Sequence, residues 1–186
     1  MDHIAVVRSP EDDFFQTASN HKISVLKCGG ETRAETVRNG LAALLQQGLA
    51  APHDNILVHD AARCCLPPEA LSRLIQEAGG QAEGGILAVP VADTLKRADA
   101  AQHIGATVAR AGLWQAQTPQ LFQAALLQRA LDVGDLSAIT DEASAVEALG
   151  VQPLLVQGDS RNLKLTLPQD EYIVRLLLAD KSHAPA

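Results

Sequence analysis

Short apolar runs alternate along the chain with longer stretches of helical spacing, and that alternation predicts an α/β layered domain. Strands are expected at 4–7 (IAVV), closed by Ser9 and Pro10, and at 23–26 (ISVL), which runs into Gly29 and Gly30. Thr32 and Glu35 form a capping-box pattern ahead of Val37, Leu41, Leu44 and Leu45, so a helix with one buried stripe follows. A third strand at 55–58 ends in His59. Pro67 and Pro68 then open a helix through Leu71, Leu74 and Ile75 that Gly79 and Gly80 stop. Residues 85–91 read as a buried strand, whereas 92–108 are polar, basic and weakly periodic, which predicts a protruding β-arm or a long functional loop. Helices are expected at 121–131 and 141–149, the second with Thr140 as its N-cap, strands at 151–156 and 162–165, and a closing helix from Pro168. Nothing resembling a linker or repeat divides 1–180, so one domain with a frayed tail at 181–186 is predicted.

Composition narrows the class. A chain of 186 residues that is 47% hydrophobic can bury a full core. Its 15 basic and 22 acidic residues leave a net charge of −7, which argues against generic nucleic-acid binding. Aromatics at 3% offer little surface for stacking bases. The apolar runs are far too short for a membrane-spanning helix. Cys28, Cys64 and Cys65 form no CxxC pair and follow no secretory pattern, so a reducing cytoplasm is expected, with Cys64 and Cys65 as small buried fillers. The six histidines show no HExxH spacing and are expected on the surface or in local hydrogen bonds.

Ligands of open α/β sheets collect beyond the carboxyl ends of strands, so the chemistry is sought there. After the second strand come Gly29, Gly30, Arg33 and Thr36, a glycine turn at a helix start that suits an anion or serves as a plain cap. After the third come Asp60 and Arg63 around two alanines, either a ribose or cation ligand beside a phosphate fork, or an ion pair within the loop. Lys96 and Arg97 follow, a basic concentration in an acidic chain that either focuses an anionic ligand or is simply solvated, and after them Arg110 and Thr118. Lys164, between two leucines, needs solvent or an anionic partner. No P-loop, GxGxxG, GxSxG or metal-ligand cluster is present. These residues alone indicate a phosphate-bearing ligand.

Five segments carry a more specific signal: HDAAR (59–63), PVADTLK (90–96), GLWQAQTPQ (112–120), ITDEAS (139–144) and NLKLT (162–166). In this order they resemble the 2-C-methyl-D-erythritol 4-phosphate cytidylyltransferases of the non-mevalonate isoprenoid pathway. The resemblance implies a Rossmann-like nucleotidyltransferase sheet with helices on both faces and an arm, at about 92–112, that crosses to the second subunit of a homodimer. It implies magnesium-dependent transfer of CMP from CTP to methylerythritol phosphate, the ion held mainly by nucleotide phosphates. Gly30, Thr36, Asp60 and Ala61 are then expected to line the nucleotide. Asp60, Arg63, Thr140, Lys164 and Thr118 are expected around the acceptor, with Thr94 and Arg110 arriving from the partner, and with Lys164 and Arg110 as the catalytic cations. A cytidylyltransferase for another polyol phosphate, such as ribitol 5-phosphate, and a non-catalytic dimerising remnant are the alternatives.

The resemblance also implies a strand and a glycine-rich loop, ending near Pro-Lys-Gln, ahead of the strand that Ile4 begins. Here Met1 and Asp2 lead straight into that strand. The expectation is a fragment lacking a βα unit of roughly 30 residues, and with it the loop that wraps the CTP phosphates.

Overall fold

The computed structural model describes residues 2–13 and 22–180, so the tail expected at 181–186 lies outside the described residues. The first two strands, β1 (Ile4–Val7) and β2 (Ile23–Leu26), pair in parallel with Ile4 opposite Ile23. Helix α1 (Arg33–Gln46) follows, and the capping box forms as read: Glu35 N–H donates to Thr32 Oγ1 at 3.2 Å and Thr32 N–H to Glu35 Oε2 at 3.0 Å. Then come β3 (Asn55–Val58), α2 (Pro68–Ala78) and β4 (Gly85–Pro90). Pro68 sits at the first helical position, where its missing N–H leaves no bond unmade.

The segment read as an arm or a long loop contains a hairpin. Strands β5 (Leu95–Ala98) and β6 (Ile104–Val108) make an antiparallel hairpin that pairs with no other strand among the described residues. Its side chains are mostly exposed, Ile104 at 69%. The remaining elements are β7 (Trp114–Gln123), α3 (Ala124–Leu131), α4 (Glu142–Glu147), β8 (Leu154–Gln157) and α5 (Asp170–Ala179). No helix among the described residues is long and apolar enough to cross a membrane.

The main sheet has four strands in the order β3-β7-β4-β8, with β7 antiparallel to both neighbours and β4 parallel to β8. Alternation along the strands sends successive residues to opposite faces. Leu87 and Leu121 pack with Ala70, Leu74 and Ala78 of α2, while Ile86 and Phe122 pack with residues of α1, α3 and α4. Helices therefore cover both faces, as the α/β reading requires.

Four expectations are corrected. Residues 121–123 belong to β7, not to a helix, because Leu121 and Phe122 alternate into the two cores as Leu57 and Ile56 do opposite them. Residues 162–165 form a loop instead of a strand: Asn162 is wholly buried and its side chain is bonded to β7, which turns the chain away from any ladder. Thr140 is not the N-cap of α4; Asp141 is, accepting from Ser144 N–H at 2.9 Å, and the helix ends at Glu147. Cys64 is exposed and Cys65 half-buried, so the pair does not fill the core.

Candidate active site

The site is built where α1, the turn after β3, the centre of β7, the start of α4 and the 158–166 loop converge. Gly29 lets the chain pass close to the first strand: its N–H donates to Arg8 O at 2.9 Å, and a Cβ there would lie 2.9 Å from that carbonyl. Gly30 N–H then donates to Thr36 Oγ1 at 3.0 Å, whose own proton goes to Thr32 O at 2.9 Å. This fixes the entry to α1 and aims Arg33, its first residue, across the sheet.

Arg33 carries a double load. Its Nε donates to Asp60 Oδ1 at 2.8 Å, while Nη1 and Nη2 reach Glu142 Oε1 and Oε2 at 2.6 and 3.0 Å. Lys164 Nζ holds the other oxygen of Asp60, Oδ2, at 2.9 Å. Exposure falls steeply across this cluster, from 46% for the Lys164 side chain to 14% for Asp60 and 1% for Glu142. Burial disfavours the Asp60 carboxylate, yet the bonds from Lys164 and Arg33 more than offset it and hold its pKa below the ordinary range. Burial likewise disfavours the Arg33 charge, and Glu142 and Asp60 reverse that, raising its pKa.

The ion pair within the 60–63 loop that the sequence left open is not formed. Arg63 instead directs Nη1 to Asn162 O at 2.6 Å and a longer Nη2 contact to Ala116 O at 3.4 Å. Burial is the main cause that lowers its pKa. Leu165 N–H donates to Ala62 O at 2.8 Å, so the Lys164 loop is tied to the Asp60 turn by backbone as well.

Strand β7 enters the site through an irregularity. Ile86 pairs with Gln120 and Ala88 with Ala116, so Gln117, Thr118 and Pro119 stand opposite Leu87 alone. Such a bulge re-aims side chains and accommodates a proline that has no N–H for the ladder. Thr118 Oγ1 accepts from Asp60 N–H at 3.0 Å and lies 3.0 Å from His59 Nδ1. His59 Nε2 lies 3.0 Å from Arg63 O, which can only accept; Nε2 therefore carries the proton and Thr118 donates to Nδ1. Burial, the largest effect, lowers the His59 pKa and favours this neutral form.

A cavity of about 210 Å³ opens over these groups, lined among others by Arg33, Asp60, Arg63, Thr118, Thr140 and Lys164. A second, of about 320 Å³, shares Arg63, Gln117 and Lys164 with it. Of the residues expected from sequence, Asp60, Arg63, Thr118, Thr140 and Lys164 thus meet in one place. Gly30, Thr36 and Ala61 lie outside the lining, the first two behind Arg33 at the α1 entry. Thr94 and Arg110 flank the two strands of the arm and also lie outside it. Sequence reading placed Arg33 only in a glycine turn and Glu142 only in a motif. Gln120 was missed in the same way: it donates to Asp141 Oδ2 at 2.8 Å and accepts from Ala143 N–H at 2.8 Å, fixing the start of α4. Among the described residues no three His, Cys, Asp or Glu side chains are grouped to hold a metal ion.

Comparison with known proteins gives one consistent result. The family model described as 2-C-methyl-D-erythritol 4-phosphate cytidylyltransferase matches residues 1–180. A curated protein of that name from Neisseria gonorrhoeae is 71% identical over 181 residues, covering 96% of this chain and 78% of its own length. One from Chromobacterium violaceum is 54% identical over 181 residues, with 96% and 79% covered. A crystal structure of a 4-diphosphocytidyl-2C-methyl-D-erythritol synthase superposes with a TM-score of 0.88 at 70% identity, covering 95% of this chain and 82% of that one. The cytidylyltransferase from Thermus thermophilus gives 0.75 at 28% identity, covering 90% and 79%.

Proposed function

The chain belongs to the 2-C-methyl-D-erythritol 4-phosphate cytidylyltransferase family, and on that premise we propose that it transfers CMP from CTP to 2-C-methyl-D-erythritol 4-phosphate, giving CDP-methylerythritol and diphosphate in non-mevalonate isoprenoid biosynthesis. The observation that carries the reading is the cavity in which Asp60, Arg63, Thr118, Thr140 and Lys164 converge, drawn from four of the five segments that resemble the family.

The chemistry asks for position and positive charge more than for a base. The nucleophile is a phosphate monoester, whose second pKa near ~6 leaves it largely ionised at neutral pH. One of its oxygens attacks the α-phosphorus of CTP, the bond from that phosphorus to the bridging oxygen breaks, and diphosphate leaves with the electron pair. Two polyanions must be brought together and the charge on the leaving group stabilised. Lys164, half exposed and reaching the cavity, is the transition-state cation in this reading. Asp60 and Arg63 orient the acceptor, with Thr118 and Thr140 beside them; Gly30, Thr36 and Ala61 border the nucleotide.

Magnesium fits as an ion carried by the nucleotide. Both oxygens of Asp60 already face cations, so the donor set near the cavity suits phosphate oxygens as the principal ligands. When bound, the ion neutralises the triphosphate and the leaving diphosphate. The exposed hairpin β5–β6 supports a homodimer in which Thr94 and Arg110 complete the partner's acceptor site, Arg110 binding the acceptor phosphate. A reducing, cytoplasmic setting accords with three free cysteines.

Diphosphate release with CTP, methylerythritol phosphate and magnesium tests the assignment, with ribitol 5-phosphate as the competing acceptor. Faster turnover on ribitol phosphate would overturn the acceptor. Calorimetric binding of CTP without turnover at any acceptor would replace the enzyme with a ligand-binding remnant.

A further inference from the structure

Two cations hold Asp60, and they are not equivalent. Arg33 grips Oδ1 with Nε while both arms of its guanidinium are engaged by Glu142, whose side chain is 1% exposed and whose carboxylate meets Arg33 on both oxygens. Among the described residues Glu142 forms no other ion pair closer than 4 Å. Swinging Arg33 toward an incoming phosphate would strand that carboxylate in the interior, where an uncompensated charge is strongly disfavoured. Lys164 is under no such restraint. It is 46% exposed, makes one ionic contact among the described residues, and on leaving Asp60 abandons a carboxylate that Arg33 still balances.

We infer that Arg33 is a positioning residue of this site: anchored by Glu142, it keeps Asp60 in place and ionised, so that Lys164 can exchange Asp60 for a substrate phosphate. Asp60 holds the Lys164 ammonium over the cavity until phosphate takes it, and then offers Oδ2 to a hydroxyl of the acceptor. The two residues that make the anchor lie 109 apart in sequence, one opening α1 and the other opening α4. Their pairing also ties two helices on the same face of the sheet to the turn after β3. This inference rests on the phosphate-transfer reading above, but its first arm does not.

That first arm is nuclear magnetic resonance of the free chain, in which the Arg33 Nε–H and the Lys164 ammonium are followed separately. Arg33 Nε–H should exchange slowly with water, and Glu142→Gln should accelerate its exchange at least about tenfold while the chain remains folded; unchanged protection overturns the anchor whether or not the chain has activity. In the second arm, CTP with magnesium and methylerythritol phosphate are titrated in. The Lys164 signal should move and the Arg33 Nε–H signal stay; equal movement of both overturns the exchange. Absence of any binding counts against the proposed function, while the anchor stands or falls by the first arm. Kinetically, Arg33→Lys keeps the charge but cannot serve two carboxylates, and should raise the KM for the acceptor about 10- to 100-fold with a smaller change in kcat. An unchanged KM in a folded Arg33→Lys protein removes the positioning role.

Discussion

The buried side chain of Asn162 donates from Nδ2 to the carbonyl of Thr118 at 2.8 Å, so the loop that presents Lys164 hangs from the strand that presents Thr118. Asn162→Leu keeps the volume and removes that bond, leaving a buried carbonyl to find another donor. The expected cost is about 1–3 kcal/mol, read as a lower urea midpoint with unchanged slope. Diphosphate release should fall with it even where the variant is fully folded, since Lys164 loses its support.

Lys164 itself is the most sensitive single position in the proposed reaction. Lys164→Ala should lower kcat at least about 100-fold, the scale of one preorganised charge acting on a developing anion. Because the residue is half exposed, its loss should leave thermal stability nearly unchanged. A full-rate alanine variant removes Lys164 from the chemistry.

Acid should act on stability in two separate windows. The neutral His59, its ring partly desolvated, has a folded pKa below its ordinary value near ~6.5, so its contribution is complete above that pH and is lost as pH falls toward the folded value. Asp60, also depressed, contributes fully above the ordinary carboxylate value near ~3.9, and loses its share as pH falls through the lower folded pKa. Urea midpoints measured from pH 8 to pH 3 should show both declines. His59→Leu should flatten the first, and Asp60→Asn the second.

The proposed crossing of the β5–β6 hairpin to a second subunit makes a prediction of a different kind. Arg110→Ala and Lys164→Ala chains should each be nearly inactive alone. Mixed and allowed to exchange subunits, they should regain about a quarter of the wild-type rate, since half of the dimers then carry one site with both cations intact. No recovery, with exchange verified by mass, places Arg110 in its own chain's site.

How much of this was legible in the sequence follows from the range of the interactions. The cap of α1 is written within four residues by Thr32 and Glu35, and the start of α2 by Pro68, so both were readable. The arm was readable because residues 92–108 carry too little apolar periodicity to build a core. Strand β7 was obscured by its own function: glutamines and Pro119 in a central strand contradict local propensity, and only the bulge opposite Leu87 reconciles them. Alternation at 162–165 suggested a strand, but Asn162 answers to β7, 44 residues earlier. The Arg33–Glu142 pair has no local signature at all, since nothing near either residue names the other. Asp60, Arg63 and Lys164 were found through family resemblance as well as chemistry, and their mutual contacts only through the fold.

The course of β7 bears on how the protein fails when heated. Gln117 and Thr118 serve the site, and Leu121 and Phe122, three residues further on, lock the two cores. Many enzymes lose activity several degrees before they melt, because a lid or peripheral loop loosens first. Here Thr118 sits on an interior strand and holds both the Asp60 turn, through Asp60 N–H, and the Lys164 loop, through Asn162 Nδ2. Thermal inactivation and global unfolding should therefore follow one curve, and a substitution that stabilises the core, far from any ligand, should raise the temperature limit of activity by the same amount.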